Sequence, residues 1–200
     1  MANALDPEGS LIEDGDLAIR RLRDIRDDYE RMVRWRNMPH VREWWDPDDP
    51  DLTFDDAVKE YRALTSAEAE TTGCVILYGG MPIGFVQFCS WDGYRQDADE
   101  IGFQPGSNWW GVDIFIGEPG LVGHGIGSRA VRLVAGYLAQ SRGAKCVALT
   151  TEIENTRAIR AYEKAGFKKE KQVLDTDTRD GQRVRSWLMV YRVPSASEIP

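Results

Sequence analysis

Two segments near the start of the chain repeat their apolar residues with the period of a helix. In the first, the apolar positions recur at three- and four-residue steps and are Ile25, Tyr29, Met32 and Val33. This pattern predicts a helix from Asp24 to Trp35, with Asp24 as its cap. In the second, Asp56 follows Thr53 by three residues as an acidic variant of the capping box, which predicts a helix from Thr53 to about Leu64.

The rest of the chain alternates β-prone runs with helical patterns. Predicted strands are Cys74–Tyr78 and Ile83–Trp91 around a Gly79-Gly80 turn, Trp109–Gly117, Lys145–Thr151, and Phe167–Leu174 and Val184–Arg192 around an Asp180-Gly181 turn. Predicted helices are Gly125–Arg142 and Asn155–Ala165, the second ending at Gly166. We therefore expect the α/β class, as a single domain over residues 17–193 with a central mixed (α+β type) sheet flanked by helices. Residues 1–16 and 194–200 are expected to be loosely held ends.

Charge and composition narrow the class of partner. The formal net charge is −8, from 33 acidic and 25 basic residues, which disfavours nucleic acid as a ligand. It suits a cationic small molecule, although simple solubility explains the same balance. No apolar run approaches the ~20 residues of a membrane helix, and the N-terminus lacks the features of a secretory signal. We expect a cytoplasmic protein without a membrane partner.

Cysteines and histidines do not indicate a metal centre. The three cysteines, Cys74, Cys89 and Cys146, stand in apolar, strand-like contexts and fit no metal-binding spacing. We interpret them as buried free thiols. The two histidines, His40 and His124, are too few for a histidine-based metal cluster.

Two motifs in the second half of the chain carry candidate chemistry. Gly123-His124-Gly125-Ile126-Gly127-Ser128 follows a β-prone run and opens a helix, where uncovered N–H groups and the helix dipole favour phosphate. A tight strand-to-helix connection explains the same glycines. Downstream, Asn155, Ala158 and Tyr162 lie along one helix face. Asn155 also fits the position of a helix cap.

Together, these motifs resemble the GNAT superfamily of acetyltransferases in sequence, order and separation. One departure is Val122, where the family usually has Gln or Arg. The resemblance implies acetyl-CoA as the donor and no metal. It further implies that Asn155 contacts the pantetheine side of the cofactor and that Tyr162 protonates the departing thiolate. The expected cofactor-binding residues are Ile114, Phe115, Ile116, Gly123, His124, Gly125, Ile126, Gly127, Ser128, Asn155 and Ala158.

Asp113 interrupts an apolar strand. A carboxylate there is costly to bury, and a half-exposed strand face explains it without function, because Val112, Ile114 and Ile116 alternate away from it. Gly111-Val112-Asp113 before the phosphate loop nevertheless resembles the aminoglycoside 6′-N-acetyltransferases. Three further segments share the resemblance, which spans Leu17 to Val193; they are Val41–Trp45, Pro82–Gln87 and Arg157–Phe167.

This closer resemblance implies an acceptor site. Asp113 would act as base or orienting group for the amine, and Trp44 or Trp45 would lie against sugar rings while one of the pair anchors the core. The expected acceptor-binding residues are Trp44, Trp45, Gln87, Asp99, Glu100, Trp110, Asp113 and Glu152. An acidic rim is expected from Asp46, Asp48, Asp49, Asp51, Asp97, Asp99 and Glu100. Carboxylates and flat apolar faces suit a polycationic sugar.

A second departure concerns the strand before the cofactor helix. Related enzymes often carry an Asp five residues ahead of the Asn, where this chain has Thr150. Glu152 and Glu154 lie nearby and are the two candidates to supply the missing charge.

The expected reaction is direct acetyl transfer in a ternary complex, without an acetyl-enzyme, because no cysteine has a histidine partner in a motif. Acylation of a siderophore precursor of the hydroxylysine type, a polyamine or a peptide N-terminus is the nearest alternative. A non-catalytic acyl-CoA sensor is the alternative of another class. Monomer and homodimer are both open.

Overall fold

A mixed sheet forms the centre of the molecule in the computed structural model, which describes residues 9–47, 49–93, 106–176 and 183–193. Its strands are β1 (Ile12–Asp14), β2 (Leu17–Arg21), β3 (Thr71–Tyr78), β4 (Met81–Ser90), β5 (Trp109–Ile116), β6 (Cys146–Glu152), β7 (Lys168–Thr176) and β8 (Arg183–Arg192). The helices in the described ranges are α1 (Arg26–Arg36), α2 (Pro39–Arg42), α3 (Phe54–Tyr61), α4 (Ile126–Arg142) and α5 (Thr156–Ala165). Short 3₁₀ turns cover Arg62–Thr65, Trp91–Gly93 and Pro119–Leu121.

The strands stand in the order β1-β2-β3-β4-β5-β6-β8-β7. Every neighbouring pair is antiparallel except β5 and β6, which run parallel. These two strands pair only where Trp109–Gly111 faces Cys146–Ala148. Beyond Gly111 and Ala148 they no longer pair, and the sheet opens into a cleft between their carboxyl ends.

Helices cover the sheet on two faces. On one face, α4 contributes Val131, Val134 and Leu138 to a core shared with the strands. On the other face, Trp35 of α1 and Tyr61 of α3 pack with Phe85 and Phe115 of the sheet. Successive strand residues point to opposite faces, so Val112 lies on the α4 face and Asp113 on the α1–α3 face. The cleft between β5 and β6 joins the two faces.

The structure confirms most of the predicted elements and shows why local signals succeeded. Thr53 accepts the backbone N–H of Asp56, and Asp56 accepts that of Thr53, which completes the predicted capping box. Gly79 and Gly80 both have positive φ in the β3–β4 turn, as a tight hairpin requires. Gly166 ends α5 in the left-handed region at φ 101°. The predicted Asp180-Gly181 turn lies outside the described residues.

Three local predictions were wrong. Asp24 does not cap α1, whose N-cap is Ile25, because the Asp24 carboxylate accepts the Tyr29 hydroxyl at 2.7 Å instead. Trp91 begins a 3₁₀ turn and lies outside β4, which ends at Ser90. Ile12–Asp14 pairs with β2 as strand β1, so the loosely held N-terminal end does not extend to residue 16. Cys74 and Cys146 are buried as expected, whereas Cys89 is only partly buried.

No helix in the described ranges is long and apolar enough to cross a membrane. In the same ranges, no three side chains of His, Cys, Asp or Glu converge as a metal-binding group.

Candidate active site

The cleft between β5 and β6 widens into a cavity of about 690 Å³. Its walls come from the carboxyl halves of both strands, the loop before α4, the exposed side of α5, the Trp44–Trp45 segment and the paired strands β7 and β8. Most of the residues predicted from sequence line it; they are Trp44, Trp45, Asp113, Ile114, Phe115, Ile116, Gly123, Gly125, Gly127, Ser128, Glu152, Asn155, Ala158 and Tyr162. Residues from five separate parts of the chain therefore meet in one site.

One end of the cavity is built to receive an anion. Gly123 and Gly125 have φ of 86° and 80°, which bends the chain into α4 in a conformation that favours glycine. No side chain caps the N-terminus of α4, and Gly125, Gly127 and Ser128 line the cavity there. The first-turn N–H groups and the helix dipole favour phosphate at this end. Ile126 is buried in the core, so only its backbone is available, and exposed His124 does not line the cavity.

Helix α5 forms the wall next to this loop. The Asn155 side chain accepts the N–H of Ala158 at 3.1 Å, so it caps the helix as well as lining the cavity. Three basic residues that the sequence analysis did not single out, Arg157, Arg160 and Lys164, are exposed on this helix and line the same cavity. Their positive charge complements phosphate groups bound at the α4 terminus.

Asp113 lies two residues beyond Gly111, the last residue of β5 that pairs with β6. Gln87, which pairs with it from the neighbouring strand β4, donates a hydrogen bond from Nε2 to Asp113 Oδ2 at 3.0 Å. The carboxylate is accessible from the cavity but largely surrounded by protein, and this removal from bulk water raises its pKa. The Gln87 hydrogen bond lowers that pKa, whereas the charge of Asp175 raises it further. The net pKa of Asp113 is raised, which makes it a stronger base than an ordinary aspartate.

Tyr162 faces the same cavity from α5. Its ring packs against Phe167 with centroids 6.1 Å apart. Burial, and then the negative charge of Asp113, raise the pKa of the Tyr162 phenol. The phenol therefore remains protonated at neutral pH and is available as a hydrogen-bond donor.

The two tryptophans of the early loop have different environments. Trp45 packs edge-on against Phe115 at 5.0 Å and Phe85 at 6.2 Å, so it is the core anchor of the pair. Trp44 also lines the cavity and belongs to neither described core cluster on the sheet faces.

Much of the described acidic rim is paired within the protein. Asp46 accepts from Arg36 at 2.7 Å, and Asp51 forms an ion pair with Arg42. Arg36 is itself buried, and it also bonds to Glu60 and Tyr61. Asp46 nevertheless lines the cavity, as expected for the rim, whereas Asp49 and Asp51 do not. Asp48, Asp97, Asp99 and Glu100 lie outside the described residues.

Trp110 and Gln87, both expected to bind the acceptor, lie elsewhere in the structure. Trp110 has the strand parity of Val112, so its ring points to the α4 face, where it packs near Phe88 and donates to Asn108 at 3.2 Å. It does not line the cavity. Gln87 does not line the cavity either, and it reaches the site through its hydrogen bond to Asp113.

Asp175, which was not among the predicted site residues, lines the cavity from β7. Thr150 donates a hydrogen bond from Oγ1 to Asp175 Oδ2 at 2.6 Å. By register, Gly111 lies beside Ala148, Glu152 beside Ser186, and Ser186 beside Val173. Asp113, Thr150, Glu152 and Asp175 therefore point to the same face of the sheet. No local motif surrounds Asp175 that could have indicated this position.

Comparison with known proteins agrees with this architecture. The family model of the acetyltransferase (GNAT) domain matches residues 24–174. An aminoglycoside N(6′)-acetyltransferase type 1 of Klebsiella pneumoniae is 27% identical over 154 residues, covering 75% of this chain and 74% of that protein. A protein of the same description from Serratia marcescens matches equally.

Solved structures share the fold at lower identity. AAC(6′)-Ib in complex with ribostamycin and coenzyme A superposes with a TM-score of 0.72 at 23% identity, covering 89% of this chain and 94% of that one. An aminoglycoside N(6′)-acetyltransferase of Legionella pneumophila gives a TM-score of 0.64 at 17% identity, covering 90% and 94%. Since the family model spans most of the sequence, the chain belongs to the GNAT acetyltransferase family.

Proposed function

We propose that this protein transfers the acetyl group of acetyl-CoA to the 6′-amine of an aminoglycoside, within a ternary complex, and thereby confers aminoglycoside resistance. The observation that carries the proposal is the clustering of Asp113, Glu152 and Asp175 on one sheet face, opposite the phosphate-binding end of the cavity. A polycationic sugar needs such carboxylates, and Trp44 adds a flat apolar surface beside them. The relatives named above support the same substrate class.

The described residues fit coenzyme A on one side of the cleft. The glycine loop and the uncapped start of α4 would hold the pyrophosphate, with Arg157, Arg160 and Lys164 close by on α5. Ile114 and Ile116 belong to the stretch of β5 that no longer pairs with β6. The Ile116 carbonyl is bonded to the His40 ring at 2.9 Å, so the backbone groups of Ile114 and the N–H of Ile116 would bond the pantetheine arm. Bound acetyl-CoA supplies the thioester that the acceptor amine attacks.

Asp113 is the group that receives the amine. An amine binds in water as the ammonium, and a carboxylate facing it both attracts the cation and accepts its proton. The raised pKa of Asp113 narrows the gap to the pKa of the amine, so proton removal costs less than with an ordinary aspartate. Gln87 fixes the carboxylate by occupying Oδ2, which leaves Oδ1 for the acceptor.

Tyr162 is placed to assist the leaving group. Its raised pKa keeps the phenol protonated, so it donates a hydrogen bond to a sulfur anion as negative charge develops there. The same shift makes complete transfer of the phenolic proton less favourable than with an unperturbed tyrosine. Stabilisation by hydrogen bonding is therefore the larger part of the role we assign to it.

The deciding experiment measures CoA release with acetyl-CoA and a kanamycin-type or tobramycin-type acceptor, against a reaction without acceptor. We expect saturable release and a product heavier by one acetyl group, with NMR of the product placing that group on the 6′-nitrogen. Expression in a susceptible bacterium should raise the inhibitory concentration of the same drug. Binding of acetyl-CoA without transfer to any of these acceptors would refute the substrate assignment.

A further inference from the structure

His40 lines the cavity but has no part in the proton transfers assigned to Asp113 and Tyr162. It lies half-buried in the short helix α2, with its Nε2 atom 2.9 Å from the carbonyl oxygen of Ile116 at the end of β5. Because a carbonyl oxygen can only accept a hydrogen bond, Nε2 carries the hydrogen and donates it. The bond therefore fixes the tautomer of the ring and ties α2 to the backbone of the strand.

The Ile116 carbonyl lies on the edge of β5 that faces the cleft. In an antiparallel pair, alternate residues turn their backbone groups towards the partner strand, and the N–H of Gly117 donates to the carbonyl of Ile83 in β4. By this alternation, Ile114 and Ile116 turn their backbone groups away from β4 and towards β6. Strand β6 does not pair with this stretch. The cleft thus contains a strand edge of four backbone groups, the N–H and C=O of each isoleucine.

Ile116 also adjoins the phosphate-binding end of the cavity. A Cβ added to Gly127, in the first turn of α4, would lie 3.7 Å from Cγ1 of Ile116. A ligand that runs from this turn along the strand edge would strip water from the Ile116 carbonyl, and a buried carbonyl without a partner is costly. The His40 ring supplies that partner before any ligand binds. It leaves the N–H of Ile116 and both backbone groups of Ile114 for the ligand.

The helical layer holds this end of β5 at consecutive residues. The Trp35 ring of α1 leaves no room for a side chain at Gly117, and its Nε1 donates to Glu118 Oε1 at 2.9 Å. Val41, which follows His40 in α2, is buried in the same layer. Trp35 is fully buried, whereas His40 lines the cavity. His40 is therefore the member of this layer that is placed to act on a ligand through the strand edge.

We infer that His40 is a positioning residue for the acetyl donor, which holds the Ile116 carbonyl so that the open edge of β5 presents three backbone groups to the pantetheine arm. The arm carries two amides, and a chain of amides adds to an open sheet edge through backbone hydrogen bonds. The inference rests on the proposed function for the placement of the arm beside β5. It is independent of the acceptor.

Calorimetric binding of CoA tests the inference without requiring turnover. His40→Leu removes the donor, so CoA would cover an unpaired carbonyl, and we expect its Kd to rise about 10-fold. His40→Gln places an amide Nε2–H near the position of the imidazole Nε2–H, and it should return the Kd to within about threefold of wild type. Adenosine 3′,5′-bisphosphate, which lacks the pantetheine arm, should bind all three proteins equally.

Further measurements separate this role from damage to α2. Arg42→Gln is the matched control, because Arg42 belongs to the same helix and pairs with Asp51 outside the cavity; it should leave the Kd of CoA unchanged. In steady-state kinetics, His40→Leu should raise the KM for acetyl-CoA and leave the acceptor KM unchanged. ¹⁵N NMR of histidine-labelled protein should show the His40 hydrogen on Nε2, with the signal assigned by its absence from His40→Gln.

The outcomes distinguish this inference from the proposed function. If His40→Leu binds CoA as tightly as wild type, or if His40→Gln binds it as weakly as His40→Leu, the inference fails. Equal weakening of adenosine 3′,5′-bisphosphate in His40→Leu, or a His40 hydrogen on Nδ1 alone, would also overturn it, as would a wild-type protein that does not bind CoA. If CoA binding follows the expected order of variants but no aminoglycoside is acetylated, the proposed function fails and the inference stands.

Discussion

The two ends of the cavity are built in different ways. The donor end is built mainly from two segments, the Gly123–Ser128 loop and the first turns of α5, and the residues of each segment are consecutive or nearly so in the sequence. The acceptor end is assembled from single side chains on strands that are distant in sequence, such as Asp113 of β5 and Asp175 of β7. The donor end depends mainly on backbone conformation, whereas the acceptor end depends on side-chain charge.

This difference has a consequence for how each end tolerates change. Backbone N–H groups at the start of α4 are not removed by replacing a side chain, so the donor end is disturbed mainly by altering the glycine conformation. At the acceptor end, each carboxylate that is neutralised removes one group that binds the acceptor or takes up its proton. Substitutions there should alter turnover and acceptor affinity while leaving acetyl-CoA binding intact.

The largest expected effect is that of Asp113→Asn. The amide cannot take up the proton of the acceptor amine, so kcat should fall about 10³-fold, in the range typical of general-base removal. The KM for acetyl-CoA should change little, because Asp113 lies on the face opposite α4 and α5. Steady-state kinetics of CoA release check both values, with Asp51→Asn as the control that retains activity. Equal losses in the two variants would contradict the assignment.

Tyr162→Phe should have the next largest effect. It removes the phenolic donor and keeps the ring that packs against Phe167, so the thermal midpoint should stay within a few degrees while kcat falls about 10²-fold. Tyr137→Phe is a matched control, because Tyr137 is a partly buried tyrosine of α4 that packs near Phe88 and does not line the cavity. Normal turnover in Tyr162→Phe would remove the phenol from the mechanism.

A third variant tests the donor end. Gly125 has φ 80°, and an added Cβ there would meet no protein atom within 4 Å. Gly125→Ala therefore strains the backbone by about 1–2 kcal/mol without a clash, and the KM for acetyl-CoA should rise about 10-fold with the acceptor KM unchanged. Gly136→Ala in the middle of α4 is the control, since it should stabilise the helix by up to about 1 kcal/mol and leave both KM values alone. A rise in the acceptor KM alone would reverse the assignment of the two ends.

The contrast between the ends also explains what the sequence could predict. The loop and α5 were predictable because their signals are contiguous, and most of the strands followed from local patterns and turns. The prediction placed Trp110 in the acceptor site, although the alternation of strand residues already argued against it. Trp110 and Val112 point to one face of the sheet, and Asp113 points to the other. Asp175 was beyond the reach of local pattern, since its bond to Thr150 joins residues 25 positions apart and depends on the order β6-β8-β7. The core role of Trp45 likewise required knowing that Phe85 and Phe115 lie beneath it.

The smallest expected effect lies in the pH profile and compares two neighbours of Asp113. Activity requires ionised Asp113, so kcat/KM falls as the pH drops through its pKa. Gln87 lowers that pKa by donating to Oδ2, and Asp175 raises it by repulsion. Gln87→Met should therefore move the acidic limb to higher pH, and Asp175→Asn should move it to lower pH. The measurement is kcat/KM for the acceptor from pH 5 to 9 at saturating acetyl-CoA. Shifts of both variants in one direction would show that neither residue acts on Asp113, and a raised acceptor KM in Gln87→Met without a shift would return Gln87 to acceptor binding.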